Sequence, residues 1–123
     1  MLFFRGQDWD EGLSTEELQQ AMDRVMAWFN GLQQTGKVKG GQPLARSGRL
    51  ISGEHRITIS DGPFAESKEA VGGYLILEAD SLEEAVGIAS SCPTLKFGIT
   101  IEVRPILAEC PCFKRGRERL AVA

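Results

Sequence analysis

The residues whose types could support chemistry lie around one predicted turn. His55 is the only histidine of the chain, and an imidazole oriented by a nearby carboxylate can act as a general acid or base near neutral pH. Asp61 opens an acidic loop with the sequence Asp-Gly-Pro-Phe-Ala-Glu-Ser-Lys-Glu, residues 61–69. Its carboxylate could act as a base or as a polar anchor, helped by Tyr74 and Arg104. Asp61 and His55 are therefore the catalytic candidates.

Both candidates also have a structural interpretation, which we favour. His55 is expected to be an exposed residue at the start of a strand, because along an extended chain the six residues to Asp61 span about 20 Å. Asp61 is expected to cap the Gly62-Pro63 turn by accepting backbone amide hydrogens, since Asp-Gly followed by proline is a strong turn signal. Neither residue is assigned to catalysis by its type alone.

Five further residues are candidates for ligand binding. Glu102 and Arg104 are two apart on a predicted strand and therefore face the same side. Arg104 could bind a carboxylate or phosphate through two parallel hydrogen bonds, or could instead form a salt bridge between subunits with Glu102 or Glu78. Tyr74 is expected on the same face of the sheet. Trp9 and Asp10 precede the first helix, where they could close one end of a cleft, although such a tryptophan more often covers the edge of a core.

Composition narrows the class of protein. The chain has 123 residues, which suits one domain with a real hydrophobic core. Its 14 basic and 17 acidic residues give a net charge of −3, which argues against nucleic-acid or anionic-membrane partners. No apolar run approaches a membrane span, and the N-terminal residues do not resemble a secretion signal. We therefore expect a cytoplasmic protein.

The cysteines do not predict a disulfide framework or a cofactor. Cys92, Cys110 and Cys112 are odd in number and lack framework spacing. Cys110-Pro111-Cys112 could supply part of a metal site, but two thiolates would need further ligands from elsewhere. We predict reduced thiols, no bound metal and no cofactor.

Two helices are predicted by the same start signal. Ser14 and Ser81 each stand three residues before a glutamate, at Glu17 and Glu84, which is the pattern of a capping box. Apolar residues then recur at helical spacing. The first helix is predicted over residues 16–34 and the second before Pro93.

Strands are predicted around these helices, at residues 2–5, 37–40, 56–60, 73–79 and 98–104, with a small extra strand near Leu50 and Ile51. The strands at 56–60 and 73–79 are expected to pair through the acidic loop. The resulting order predicts an α+β, ferredoxin-like βαββαβ fold with both helices on one face of an antiparallel sheet.

The residues expected on the other face of the sheet indicate a second subunit. Leu75 and Leu77 are expected to face the helices, whereas Tyr74 and Ile76 face away among charged residues. That second face is too apolar to be left wholly in water. We predict a homodimer with the two sheets packed face to face, and a cleft between them that polar groups could line.

The C-terminal segment differs in composition. Residues 113–123 hold four basic residues and one acid, a net charge of +3, so the rest of the chain carries −6. This segment could be an arm for an acidic partner or for nucleic acid, or a solvated or dimer-packing tail, which we favour. We divide the chain into a domain at residues 1–106 and a basic tail at 107–123.

At several motifs the chain resembles the DGPF branch of the YCII-related proteins, within the dimeric α+β barrel group. The matching segments are Gly40-Gly41-Gln42-Pro43-Leu44, residues 61–69, Gly72-Gly73-Tyr74, Cys92-Pro93 and Glu102-Val103-Arg104-Pro105. The resemblance implies a ferredoxin-like fold and a homodimer. It also implies a link to extracytoplasmic-function sigma factors, which some members have, and a distant relation to a dehydrochlorinase similar to muconolactone isomerase.

One departure from that family limits what can be transferred. The broader family pattern pairs a histidine on the first helix with an aspartate, and residues 16–34 contain no histidine. We predict a small homodimeric protein that binds a small molecule in the cleft between sheets, and the resemblance implies a regulatory role linked to sigma factors. The alternative is an isomerase or lyase that abstracts a proton next to a carbonyl, with Asp61 or His55 as base and Arg104 as anion anchor.

Overall fold

The computed structural model describes residues 1–6, 8–61 and 71–122, with Asp61 described by its backbone alone. The loop that follows Asp61, with Pro63, Phe64 and the acidic residues after them, lies outside this part. The elements are β1 (Leu2–Arg5), α1 (Thr15–Gln34), β2 (Val38–Pro43), β3 (Arg49–Ser52), β4 (Thr58–Asp61), β5 (Val71–Leu77), α2 (Leu82–Ser90), a 3₁₀ turn (Pro93–Phe97), β6 (Thr100–Val103) and α3 (Pro111–Ala121).

Four strands form an antiparallel sheet in the order β2-β5-β1-β6. β1 therefore lies inside the sheet, where Leu2 is directly opposite Leu75 of β5 and Val103 of β6. Residues that pair across neighbouring strands share a face of the sheet. The predicted α+β class with an antiparallel sheet is confirmed.

The core lies where α1 and α2 meet the same face of this sheet. Leu2 is completely buried and forms a cluster with Leu75 and Ala89 of α2. Side chains of α1 and further sheet residues pack against that cluster, namely Phe4, Trp28, Phe29, Leu32, Val38, Leu77, Ile101 and Val103. The predicted alternation of β5 is correct, because Leu75 and Leu77 belong to the core side.

The helix starts follow their predicted signals, with one difference. Ser14 forms the complete capping box, accepting a hydrogen bond from the Glu17 amide while the Glu17 carboxylate accepts one from the Ser14 amide. Ser81 also accepts from the Glu84 amide. The Glu84 carboxylate, however, bonds the Asp80 amide and the Lys37 ammonium. The second capping box is therefore only half formed, and its glutamate instead ties α2 to Lys37, the residue before β2.

The predicted pairing of residues 56–60 with 73–79 is wrong. β4 pairs with β3 in a separate two-stranded sheet, with Ile51 opposite Ile59. The extra strand near Leu50 and Ile51 is thus confirmed as β3. It pairs with β4, which the sequence predicts as a partner of β5. A short connection makes this hairpin local, so that little loop-closure entropy is lost. Gly53 permits the turn, because it has φ of 113° and any Cβ there would overlap the Arg56 carbonyl oxygen.

The C-terminal segment outside the core is partly helical. The predicted basic tail contains the helix α3, whose side chains are largely exposed and whose Arg117 pairs with Glu109. Among the helices that the structure describes, none combines the length and the apolar character that crossing a membrane requires.

Candidate functional site

A cavity of about 710 Å³ lies between α1 and the end of the sheet formed by the last residues of β1 and β2 and the first of β5. Ligand cavities in proteins commonly have volumes of roughly 300–1,000 Å³. Its lining is mainly apolar, and includes Phe4, Trp9, Met22, Val25, Met26, Phe29, Leu75 and Ile99. The volume and the lining together fit a small, largely apolar molecule.

The side of the cavity formed by α1 comes from the apolar stripe of that helix. Met22, Val25, Met26 and Phe29 recur at helical spacing and all contribute to the lining. Met22 and Met26 nevertheless remain 49% and 55% exposed. The side chains of the two methionines therefore face the open cavity and are not packed against other side chains. Their flexible thioethers suit a surface that adapts to the molecule it binds.

The side formed by the sheet is open because two of its residues are glycines. Gly41 is paired with Leu75, and Gly73 with Phe4, so both occupy positions that face the helices. A Cβ on Gly41 would lie 2.6 Å from the Tyr74 carbonyl oxygen, which is closer than real Cβ atoms come. The close approach of β2 and β5 thus requires glycine, and the missing side chains leave room in the cavity.

Trp9 forms one wall and is held by an aromatic contact. Its ring stacks on Phe97 of the 3₁₀ turn, with ring centroids 5.3 Å apart and planes 24° from parallel. The Lys96 ammonium lies 5.0 Å from the centre of the same Phe97 ring. The 3₁₀ turn therefore fixes the loop that precedes α1.

One edge of the cavity is polar and is formed by Asp8, Asp10 and Arg46. Asp8 has a left-handed backbone conformation, with φ of 62°, and its carboxylate forms an ion pair with the Arg46 guanidinium. The buried Oδ1 atom of Asp8 has no bond of hydrogen-bond geometry within the described part of the chain, so its partner is the charge of Arg46. This edge offers both hydrogen-bond acceptors and a guanidinium to a bound molecule.

The predicted ligand-binding residues separate into two groups. Trp9 and Asp10 border the cavity, and so does Tyr74, although its side chain belongs to the face of the sheet that points away from the helices. Glu102 does not border the cavity, because it pairs with Phe3 on the opposite face of the sheet. There its carboxylate accepts two hydrogen bonds from the Arg5 guanidinium, at 3.0 and 2.5 Å. Arg104 is exposed, and its backbone bonds to Met1 at the sheet edge. Glu102 thus pairs within the chain with Arg5.

The two catalytic candidates lie in or next to the β3–β4 hairpin. The side chain of His55 is 92% exposed, and its Nε2 atom is 3.8 Å from the Glu54 carboxylate. Asp61 is the last residue of β4, opposite Arg49, and its side chain is outside the described part. His55 does not belong to the cavity lining. The catalytic roles of both residues stay predictions.

Sequence reasoning missed Asp8, Arg46 and the space left by the glycines. Asp8 is next to Trp9 and Asp10, which were selected as a candidate cleft end, so its position offered a signal. Arg46 offered none, because the long segment between β2 and β3 carries no recognisable pattern. Within residues 1–6, 8–61 and 71–122 no group of three or more His, Cys, Asp or Glu side chains could hold a metal ion.

The chain matches the model of a protein family over most of its length. The model of the family described as YCII-related domain matches residues 1–110, which include every residue of the cavity lining. Among curated proteins, none matches the chain significantly.

The Arg5–Glu102 pair predicts a pH dependence of stability. The hydrogen bond from Arg5 holds the pKa of Glu102 below the usual 4.5, with smaller contributions from the charges of Arg5 and Arg104 and with desolvation opposing them. A carboxylate with a lowered pKa stabilises the folded state above its unfolded pKa, and this contribution is lost as the pH falls through the folded pKa. Glu102→Gln should therefore lower the melting temperature at neutral pH, and the difference from the wild type should shrink below pH 4.5.

Thermal unfolding followed by circular dichroism across this pH range measures the effect. The matched control is Glu11→Gln, at an exposed loop position, whose difference from the wild type should be small throughout. A melting-temperature difference for Glu102→Gln that stayed constant down to the acid limit would contradict the assigned ion pair.

Proposed function

The chain belongs to the YCII-related family, and from this premise and the cavity beneath α1 we propose that it is a small-molecule-binding homodimer. The observation that carries the proposal is the cavity of about 710 Å³. Its apolar walls and single polar edge are the arrangement typical of small-molecule sites. This cavity lies on the helix side of the sheet, so it is distinct from the cleft between two sheets that the sequence predicts and needs no second copy to form.

The chemistry of the lining supports a particular class of ligand. Apolar contacts from Met22, Met26 and Phe29 favour an aromatic or alicyclic body. The polar edge combines two carboxylates with one guanidinium, and Arg46 is already paired with Asp8. A neutral group that donates a hydrogen bond, such as a hydroxyl, is therefore a better match than a second anion. We propose a bicyclic-sized, hydroxyl-bearing molecule as the ligand class.

Binding can be tested with a matched series of probes, namely 2-naphthol, 2-naphthoate and a naphthylmethylamine, by thermal shift and by fluorescence titration. A ligand that binds the folded state must raise its apparent stability. We expect 2-naphthol to give the largest shift. Met26→Trp, which replaces a flexible thioether by a bulkier and rigid indole ring, should weaken 2-naphthol binding by about tenfold or more, a loss of about 1.4 kcal/mol.

Ala27→Trp is the matched control, because Ala27 is the next residue of α1, is exposed, and does not belong to the lining. Its affinity for 2-naphthol should equal that of the wild type. Equal binding by the two tryptophan variants would argue that the probe binds elsewhere, and the absence of any thermal shift in the series would contradict the proposed ligand class.

The homodimer is supported by the face of the sheet that points away from the helices. Phe3 and Tyr74 are paired across β1 and β5, and both remain partly exposed, as does Ile76. The hairpin adds further exposed apolar side chains, at Leu50, Ile51, Ile57 and Ile59. We propose that two chains pack these sheet faces together, because partly apolar faces of this kind are stabilised by burial.

The oligomeric state can be tested by sedimentation velocity. The wild type should sediment with twice the mass of one chain. Ile76→Glu introduces a charge at the proposed contact and should give a monomer, because an unpaired buried charge is strongly destabilising. Ile106→Glu, at a position that is 57% exposed beyond β6, should remain dimeric. A monomeric wild type would contradict the proposal directly.

A second candidate function, proton abstraction next to a carbonyl, is favoured by one observation. Asp10 and Arg46 border the same cavity, so that a carboxylate base and a cation that stabilises an enolate are available together. Asp10 would take the α-proton of a bound ketone. Arg46 would keep its ion pair with Asp8 and stabilise the negative charge that develops on the carbonyl oxygen through its other N–H donors. His55 lies outside the lining and is not required.

The enolisable ketone 2-tetralone is a suitable probe of this second function. In deuterium oxide, the protein should accelerate the exchange of its α-protons, which mass spectrometry measures. Asp10→Asn should remove most of the acceleration, whereas Glu11→Gln, in the neighbouring position, should keep it. Exchange at the rate of protein-free buffer would exclude this activity for 2-tetralone-like ketones and leave binding as the function.

The assignment to the DGPF branch and the regulatory link to sigma factors are the finer parts of the proposal. They are supported by the resemblance of residues 61–69 and of Gly72-Gly73-Tyr74 to that branch. A sigma factor encoded beside this protein, and its co-purification with the protein, would support the regulatory role. Failure to bind that sigma factor would contradict it.

A further inference from the structure

The C-terminal segment carries a pair of thiols that the cavity does not use. Cys110 is the residue before the first turn of α3 and Cys112 is the second residue of that helix. Their sulfur atoms are 2.7 Å apart, and both residues are exposed and unoxidised. The family match ends at residue 110, so Cys112 and the rest of α3 lie beyond it.

The geometry of the pair is close to that of a disulfide. A disulfide bond is about 2.05 Å long, so closing it from the present separation requires a movement of only about 0.7 Å. Residues two apart have Cα atoms no more than about 7 Å from each other, which is near the range that disulfides span. The two sulfur atoms are therefore within a small movement of the separation that a disulfide requires.

The same separation does not suit a metal ion. Two thiolates on a tetrahedral zinc are held at about 2.3 Å from the metal, which places the sulfur atoms well over 3 Å apart. In the part of the chain that the structure describes, the pair also has no third ligand to complete a metal site. The separation thus favours chemistry between the two thiols, namely exchange between thiol and disulfide.

The surroundings of the two thiols are those of a reactive pair. Hydrogen bonds from the Cys112 thiol and from the backbone amides of Cys112 and Phe113 hold the pKa of the Cys110 thiol below its usual range, against a smaller effect of desolvation. A lower pKa increases the thiolate fraction at neutral pH. Cys92 differs, because it is buried and its sulfur contacts the Thr94 hydroxyl at 3.2 Å. Reaction should therefore be confined to the exposed pair.

The positive charge of α3 favours reaction with anionic molecules. Residues 113–123 carry Lys114, Arg115, Arg117 and Arg119 against one acid, a net charge of +3. Arg117 is engaged by Glu109 at 2.7 and 2.5 Å, and Lys114 and Arg115 are exposed immediately after the pair. Such a field raises the local concentration of anions.

We propose that Cys110 and Cys112 form a site of thiol–disulfide exchange for anionic low-molecular-weight disulfides. The Cys110 thiolate attacks one sulfur of the small disulfide, forming a mixed disulfide and releasing one small thiolate. Cys112 loses its proton to water and attacks the Cys110 sulfur, breaking the mixed disulfide and releasing the second thiolate. The protein is oxidised by two electrons and the small disulfide is reduced to two thiols.

The test uses the full chain and oxidised glutathione, followed by denaturation, alkylation with N-ethylmaleimide and mass spectrometry. The number of alkylated cysteines should fall from three to one, with the remaining label on Cys92 and with no glutathione attached. Cys112→Ser should instead accumulate one glutathionyl group on Cys110, because it lacks the second thiol. A wild type that keeps three labels, retains glutathione, or forms a disulfide between chains would overturn the proposal.

The predicted preference for an anionic substrate is tested with cystamine, a cationic disulfide. Oxidised glutathione should react several times faster than cystamine at low ionic strength, and added salt should reduce the ratio, since screening weakens the field of α3. Arg115→Gln should lower the rate with glutathione without changing the product. An equal or higher rate with cystamine would overturn the assignment of an anionic substrate.

Discussion

The close approach of β2 to β5 at Gly41 is the constraint on which the site depends. A Cβ at this position would lie 2.6 Å from the Tyr74 carbonyl oxygen and 2.9 Å from the Leu75 side chain. Only glycine lets the two backbones come together at this point of the sheet. The contact lets β2 pair with β5 beside the core residue Leu75, and it leaves no side chain at a position that lines the cavity. Strand pairing and cavity therefore share one cause.

Much of the fold follows from local signals in the sequence, because those signals act over a few residues. The caps at Ser14 and Ser81 specify the starts of α1 and α2 through hydrogen bonds to amides three residues away. The alternation along β5 specifies its two faces, since one side must meet the helices. The partner of β4 was not specified in this way, because Ile57 and Ile59 indicate a strand and do not indicate which strand it joins.

The cavity was hidden for a different reason. It arises where side chains are absent, at Gly41 and Gly73, and where distant segments meet, as Asp8 does with Arg46. A sequence pattern reports the residues that are present and their nearest neighbours, whereas an ion pair between the β1–α1 loop and the β2–β3 segment depends on the finished fold. Trp9 and Asp10 could be selected from sequence because an aromatic residue and an acid before a helix form a local pattern.

The two faces of the sheet allow ligand binding and dimerisation to be separate properties. Consecutive residues of a strand point to opposite faces, so Leu75 contributes to the cavity while Ile76 contributes to the opposite surface. The polar groups follow the same division, since Asp8 and Arg46 border the cavity whereas Arg5 and Glu102 pair on the other face. A side chain changed on one face leaves the other face in place, provided that the backbone contact at Gly41 is kept. The cavity is therefore a property of one chain, and a partner on the opposite face is not required to build it.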